Sequence, residues 1–156
     1  MSLLALQQRV ARVLTGQSTS NSDDDAGLTL AGELLVAKRR VEAASWLPRT
    51  SRALGTDFTS RFAEHARHYR PRGWNHPRDD AATFAALVAA DRSLTRVIRD
   101  QAVYESAQVR AAAPGPFLIA HHLQHDPTRT NARPGSHVWW RWSRRARLRH
   151  LHLPWG

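Results

Sequence analysis

Apolar residues recur every three to four positions through most of the chain, then every second position near its end. Leu3, Leu6, Val10, Val13 and Leu14 share one face of a short helix that Ser2 caps and Gly16 ends. Residues 17–27 form a polar loop. Within it, Asp23, Asp24 and Asp25 either favour the next helix N-terminus through its dipole or are simply solvated. The spacing predicts a second helix from about Leu30 to Ser45. Leu30, Leu34, Val41 and Ala44 mark its apolar side, and Lys38, Arg39 and Arg40 its wet side. Pro48 opens a short third helix that ends at Gly55. Thr56 or Asp57 caps a fourth, with Phe58, Phe62, His65 and Tyr69 on one stripe, stopped by Pro71 and Gly73. Asn75 to Asp80 reads as a turn. A fifth helix carries Phe84, Leu87 and Val88. A sixth, capped by Ser93, carries Leu94, Val97, Ile98, Ala102, Glu105 and Val109 and ends at Pro114-Gly115-Pro116.

Beyond Pro114 the period changes. Phe117 to Leu123 reads as a strand, residues 124–135 as a loop, and His137 to Trp142 as a second strand. Ser143 to Arg147 is a basic turn. Leu148-Arg149-His150-Leu151-His152-Leu153 alternates strictly, as a third strand with one apolar face. The expected fold class is α+β: a bundle of about six helices over residues 1–114, then a small antiparallel β-meander over 115–156.

Composition narrows the partners. The net charge is +10, and Lys38 is the only lysine among 23 basic residues, so arginine carries nearly all of the positive charge. Guanidinium groups bind carboxylates and phosphates in planar, bidentate geometry, which suits an acidic peptide, an acidic protein face or nucleic acid. The chain has no cysteine, which removes disulfides, thiol nucleophiles and thiolate zinc sites. No signal segment and no membrane-length apolar run is visible, so the expected location is cytoplasmic, without membrane association.

Candidate chemistry concentrates at the C-terminus. His121, His122, His125, His137, His150 and His152 all lie there, and His150 and His152 share one strand face, a spacing seen in metal sites. Asp126 is the only acid in that stretch, and arginines crowd it. The expectation is therefore no metal site and no cofactor. His65 and His68 are three residues apart, unlike a zinc-protease helix, and His65 reads as a satisfied core histidine. No nucleophile elbow, phosphate loop or carboxylate pair appears, so catalysis by this chain is not expected. The most unusual feature is Trp139, Trp140 and Trp142 interleaved with Arg141 and followed by Arg144, Arg145, Arg147 and Arg149. Tryptophan and arginine are enriched at binding hot spots. One strand face presents His137, Trp139 and Arg141, the other Val138, Trp140 and Trp142. One can pack on the helices while the other meets a ligand.

Several stretches resemble accessory proteins of multinuclear non-haem iron-dependent oxidases, which modify ribosomally made peptides. They are Leu6-Gln7-x-x-Val10, Trp46-Leu47-Pro48, Leu54-Gly55-x-x-Phe58, Phe62-Ala63-x-x-Ala66, Asp80-Ala81-x-x-Phe84-Ala85 and Tyr104-Glu105-x-Ala107. The Trp-rich strand and Leu151-His152-Leu153-Pro154-Trp155 resemble the β part of the actinobacterial-type branch. The resemblance implies a non-catalytic subunit that forms a heterodimer with the iron oxidase. It would bind the leader segment of a precursor peptide and present the core to the enzyme's iron. A related branch is described as DNA-binding, which keeps a basic nucleic-acid-binding module as the alternative. On the peptide reading, the expected contacts are Trp139, Arg141, Arg147, Arg149, His137 and Ile119, with the peptide added to the sheet as a further strand.

Overall fold

A computed structural model describes residues 26–70, 76–128 and 134–155. Among these residues are five helices: α1 (Ala26–Trp46), α2 (Pro48–Leu54), α3 (Asp57–His68), α4 (His76–Ala90) and α5 (Arg96–Ala111). Three strands follow: β1 (Phe117–Leu123), β2 (Gly135–Arg141) and β3 (Arg149–Pro154). The class is α+β, with one helix fewer than expected. The expected first helix and most of the following polar loop lie outside the described residues, as does the Leu6-Gln7-x-x-Val10 motif.

The helices bury one core, built from Ala43, Leu47, Leu54, Phe58, Phe62, Ala66, Ala81, Phe84, Ala85, Val88, Ala102 and Val109. Phe58, Phe62 and Phe84 meet mostly edge to face, with Phe84 5.2 and 5.3 Å from the other two rings. Each such side chain contributes roughly 1.5–3 kcal/mol by leaving water.

Helix α1 buries a different stripe from the expected one. Val36, Arg39, Ala43 and then Leu47 turn inward, while Leu30, Leu34 and Val41 are exposed. Arg39 turns in because it has a partner. It donates from Nε to Asp80 Oδ2 at 2.7 Å and from a terminal nitrogen to Asp80 Oδ1 at 2.9 Å and to the Tyr69 carbonyl at 3.1 Å. His65 Nε2 completes the triad, 3.1 Å from Asp80 Oδ1. Burial alone would raise the Asp80 pKa, but the hydrogen bonds from His65 and Arg39 hold it below its usual value.

Two helix starts differ from expectation. Helix α4 begins at His76, inside the expected turn, with Pro77 in its first turn and Asp79 favoured there by the dipole. Helix α5 is capped by Thr95, whose hydroxyl accepts from the Ile98 amide, while Ser93 bonds Asp91 instead. Helix α2 starts at Pro48 as expected and is capped from a distance. Glu105 of α5 is buried and accepts from the Arg49 and Thr50 amides at 2.8 Å each, satisfying two orphan donors of that N-terminus.

The sheet order is β1-β2-β3, antiparallel throughout. Helix α5 packs on β1 and β2. Tyr104 and Ala107 join Leu123 and Trp139 in a second core, bordered by Val103, Phe117 and Ile119. Helix α5 thus serves both cores. No described helix is long and apolar enough to cross a membrane.

Candidate functional site

The site is built on the sheet, and α5 decides which sheet face is inside. Asp100 of α5 is buried. Its Oδ2 accepts from the Gln124 and His125 amides at 3.0 Å each, and Arg96 bonds its Oδ1. This anchor turns the chain as it leaves β1 and delivers Asp126 beneath β2 and β3. Asp126 then closes its own turn, accepting on Oδ1 from the Thr128 amide at 2.7 Å and hydroxyl at 2.6 Å.

The inner face carries Ile119 and His121 from β1, His137 and Trp139 from β2, and His150 and His152 from β3. His137 pairs with His152 and Trp139 with His150. The rings stack as flat apolar plates. Trp139 lies 4.7 Å from His150, His137 lies 4.4 Å from His152, and Tyr104 meets Trp139 edge-on at 5.2 Å. Burial lowers the pKa values of His121 and His150 and brings His137 to about 4, so these imidazoles are held in the neutral form. Beneath them, Asp126 Oδ2 lies 3.3 Å from His152 Nδ1, and Asp126 Oδ1 3.8 Å from His137 Nε2. Burial would raise the Asp126 pKa, but the Thr128 bonds and the two imidazoles keep it low.

The outer face is apolar and uncovered by any described helix. Leu118, Val138 and Trp140, and Leu151 and Leu153 lie across its three strands. Leu118 is 70% exposed, while Leu151 and Leu153 are each nearly half exposed. Trp155 folds over one corner, donating from its indole to Ser136 Oγ at 3.1 Å and lying 5.3 Å from His122. Among the described residues β3 pairs only with β2, which leaves its other edge free. Arg144, Arg145, Arg147 and Arg149 all stand exposed in or next to β3.

These positions revise the expected contacts. Trp139 is 1% exposed and His137 is fully buried, so both pack against Tyr104 rather than meet an incoming peptide. Ile119 borders the same core. Arg141 donates from Nε to the Gly115 carbonyl at 2.7 Å and also bonds the Ala113 carbonyl, so it fastens the segment after α5. Only Arg147 and Arg149 of the expected set remain exposed. The apolar face of β3 points away from the helices, opposite to the arrangement its alternation suggests. Sequence reasoning therefore missed exposed Leu118, Leu151 and Leu153, with half-buried Trp140 beside them, as the outer apolar set. The β3 leucines were a usable signal: once His152 is placed opposite His137, the leucines must face out.

The helical histidines do not form a second site. His65 is buried on Asp80, and exposed His68 pairs with Glu64 at 2.8 Å. A groove of about 510 Å³ runs between α3 and α4, lined by His65, Phe84, Leu87 and Val88, with the Arg61–Asp91 ion pair at its rim.

Comparison with known proteins bears on the helical part. No curated protein and no solved structure matches the chain. The family model described as SCO6045-like, C-terminal domain, matches residues 5–90, through α1, α2, α3 and α4. More than half of the sequence lies within that match, and the chain belongs to the SCO6045-like, C-terminal domain family.

Proposed function

We propose that this chain is a non-catalytic partner subunit that holds the leader segment of a ribosomally made precursor peptide for a multinuclear non-haem iron oxidase. The observation that carries this reading is the edge of β3, unpaired among the described residues, beside four exposed arginines. A strand edge offers a row of backbone donors and acceptors, and an extended peptide completes it as a fourth strand. The six residues of β3 give an edge about 20 Å long, at about 3.4 Å per residue. Arg147 and Arg149 would select acidic side chains on that peptide. The neighbouring outer face, with Leu151, Leu153 and Trp140, supplies apolar contact for alternate peptide residues. The exposed Leu30, Leu34, Val41 and Leu87 of α1 and α4 supply the apolar surface that docking on an enzyme needs. The contribution to catalysis is positional: a tethered substrate has a raised effective concentration at the iron.

One observation favours a second reading. Trp142 is 77% exposed and is followed by Arg144 and Arg145, an arrangement that suits base stacking with phosphate contact. Co-expression with a multinuclear non-haem iron oxidase and its precursor peptide separates the two readings. The peptide reading expects a complex with the oxidase that carries the leader peptide through size exclusion. Loss of both partners, with oligonucleotide binding that falls steeply with salt, supports the nucleic-acid reading instead.

A further inference from the structure

We propose that Asp126, His137 and His152 hold a divalent transition-metal ion of the zinc type. One ligand atom from each lies within 4.8 Å of the other two. Three observations support a ligand set rather than a chance cluster. First, the side chains of Asp126 and His137 are fully buried, yet Asp126 Oδ2 and His137 Nε2 have no hydrogen-bond partner. Buried polar atoms in proteins are nearly always satisfied, so two that converge on one point require an explanation.

Second, the spacing suits a metal. Ligand bonds of about 2.0–2.1 Å in tetrahedral array set the ligand atoms roughly 3.4 Å apart. Asp126 Oδ2 and His152 Nδ1 are 3.3 Å apart, and His137 Nε2 is 3.8 Å from the other Asp126 oxygen. Both separations lie close to that spacing. Third, the ligands are held from behind. His137 Nδ1 lies 3.0 Å from His150 Nε2, and a proton donated across that bond leaves the Nε2 lone pair free. Thr128 bonds Asp126 Oδ1 and aims Oδ2 inward. His152 backs onto Gly135, where a Cβ would lie 2.2 Å from its Nε2.

The arginines of this stretch do not oppose a cation here. Arg149 is opposite Trp140, on the outer-face register, and Arg141 is tied to carbonyls after α5. Two imidazoles and one carboxylate suit zinc(II) or iron(II), with further coordination from water or a partner. The ion would join the loop at Asp126 to β2 and β3, so it would fix the edge strand β3. The proposal does not depend on the peptide reading, because it is tested on the chain alone.

The test uses the full chain, stripped with a chelator and titrated with Zn²⁺ by calorimetry and with Co²⁺ by visible absorption. One equivalent of zinc and a tetrahedral cobalt spectrum are expected. Zinc at a hundredfold excess over Kd should raise Tm by roughly 5–10 °C. Asp126→Asn and His152→Ala should each weaken binding by about a hundredfold or more, since losing only a hydrogen-bond partner of a ligand costs about 10–100-fold. His122→Ala, an exposed imidazole outside the cluster, should leave binding unchanged. His152 is at the sheet edge, so its variant decides the matter if Asp126→Asn fails to fold. Absence of stoichiometric binding by the unaltered chain, or unchanged binding by His152→Ala, overturns the proposal.

Discussion

Asp80 shows how much one buried acid organises. It receives both nitrogens of the Arg39 fork and contacts His65, so it pins α1 and α3 to α4. Replacing it with Asn leaves the Arg39 charge buried without a counter-ion, at a cost of about 3–5 kcal/mol. A drop of that size in the urea-derived unfolding free energy is expected for Asp80→Asn. The acid limb follows from the same contact. The folded pKa lies below the reference value of 3.8, so the stabilisation is complete above that pH and is lost as pH falls through the folded pKa. Stability of the unaltered chain should therefore decline below about pH 4, and Asp80→Asn should flatten that part of the profile. An unchanged acid limb in the variant contradicts the assignment. The sequence could show Asp80 in a motif but not its partner. Arg39 stands among other basic residues, and nothing local distinguishes a buried guanidinium from a solvated one.

Elements were more legible than faces. The strand β1 was visible to its end residues, and β2 and β3 within one or two, because period-two alternation between Gly and Pro turns is a strong local signal. The inward face was not visible. Both faces of β2 carry a tryptophan, and the choice is made by Tyr104 of α5, 35 residues from Trp139 in sequence. A strand with two apolar faces has no local preference, so tertiary contact decides. The convergence of Asp126 with His137 and His152 was hidden for the same reason, since it depends on the Asp100 anchor. Gly135→Ala would place a Cβ 2.7 Å from the Leu153 carbonyl as well as against His152. A backbone atom cannot swing aside, so a loss of about 1–3 kcal/mol is expected in chemical denaturation. A neutral result would mean that β2 and β3 are not as close as described. If the sheet takes an acidic leader as proposed, Arg147→Glu with Arg149→Glu should weaken its binding by roughly 5–30-fold at low salt, an effect that salt diminishes. Equal affinity for both forms would remove these arginines from the interface.

At the scale of the molecule, the helical half and the sheet each have their own core, with α5 shared between them. Several of the residues that carry the resemblance to oxidase accessory proteins, among them Leu47, Phe58, Phe62, Asp80 and Phe84, are core and buried ion-pair residues. They specify the packing of the bundle, which is also where the family match lies. The proposed peptide edge is in the sheet, outside that match. Fold was therefore legible from motifs, while the site depended on how α5 orients three strands. The most direct test of the proposed role is hydrogen exchange along β3, with and without the leader segment of an oxidase's precursor peptide. Slowed exchange of the outward-facing amides between Arg149 and Leu153, with β1 unchanged, is the predicted result. Saturating peptide that leaves β3 exchange unaltered, or protects β1 or the helices instead, would contradict it.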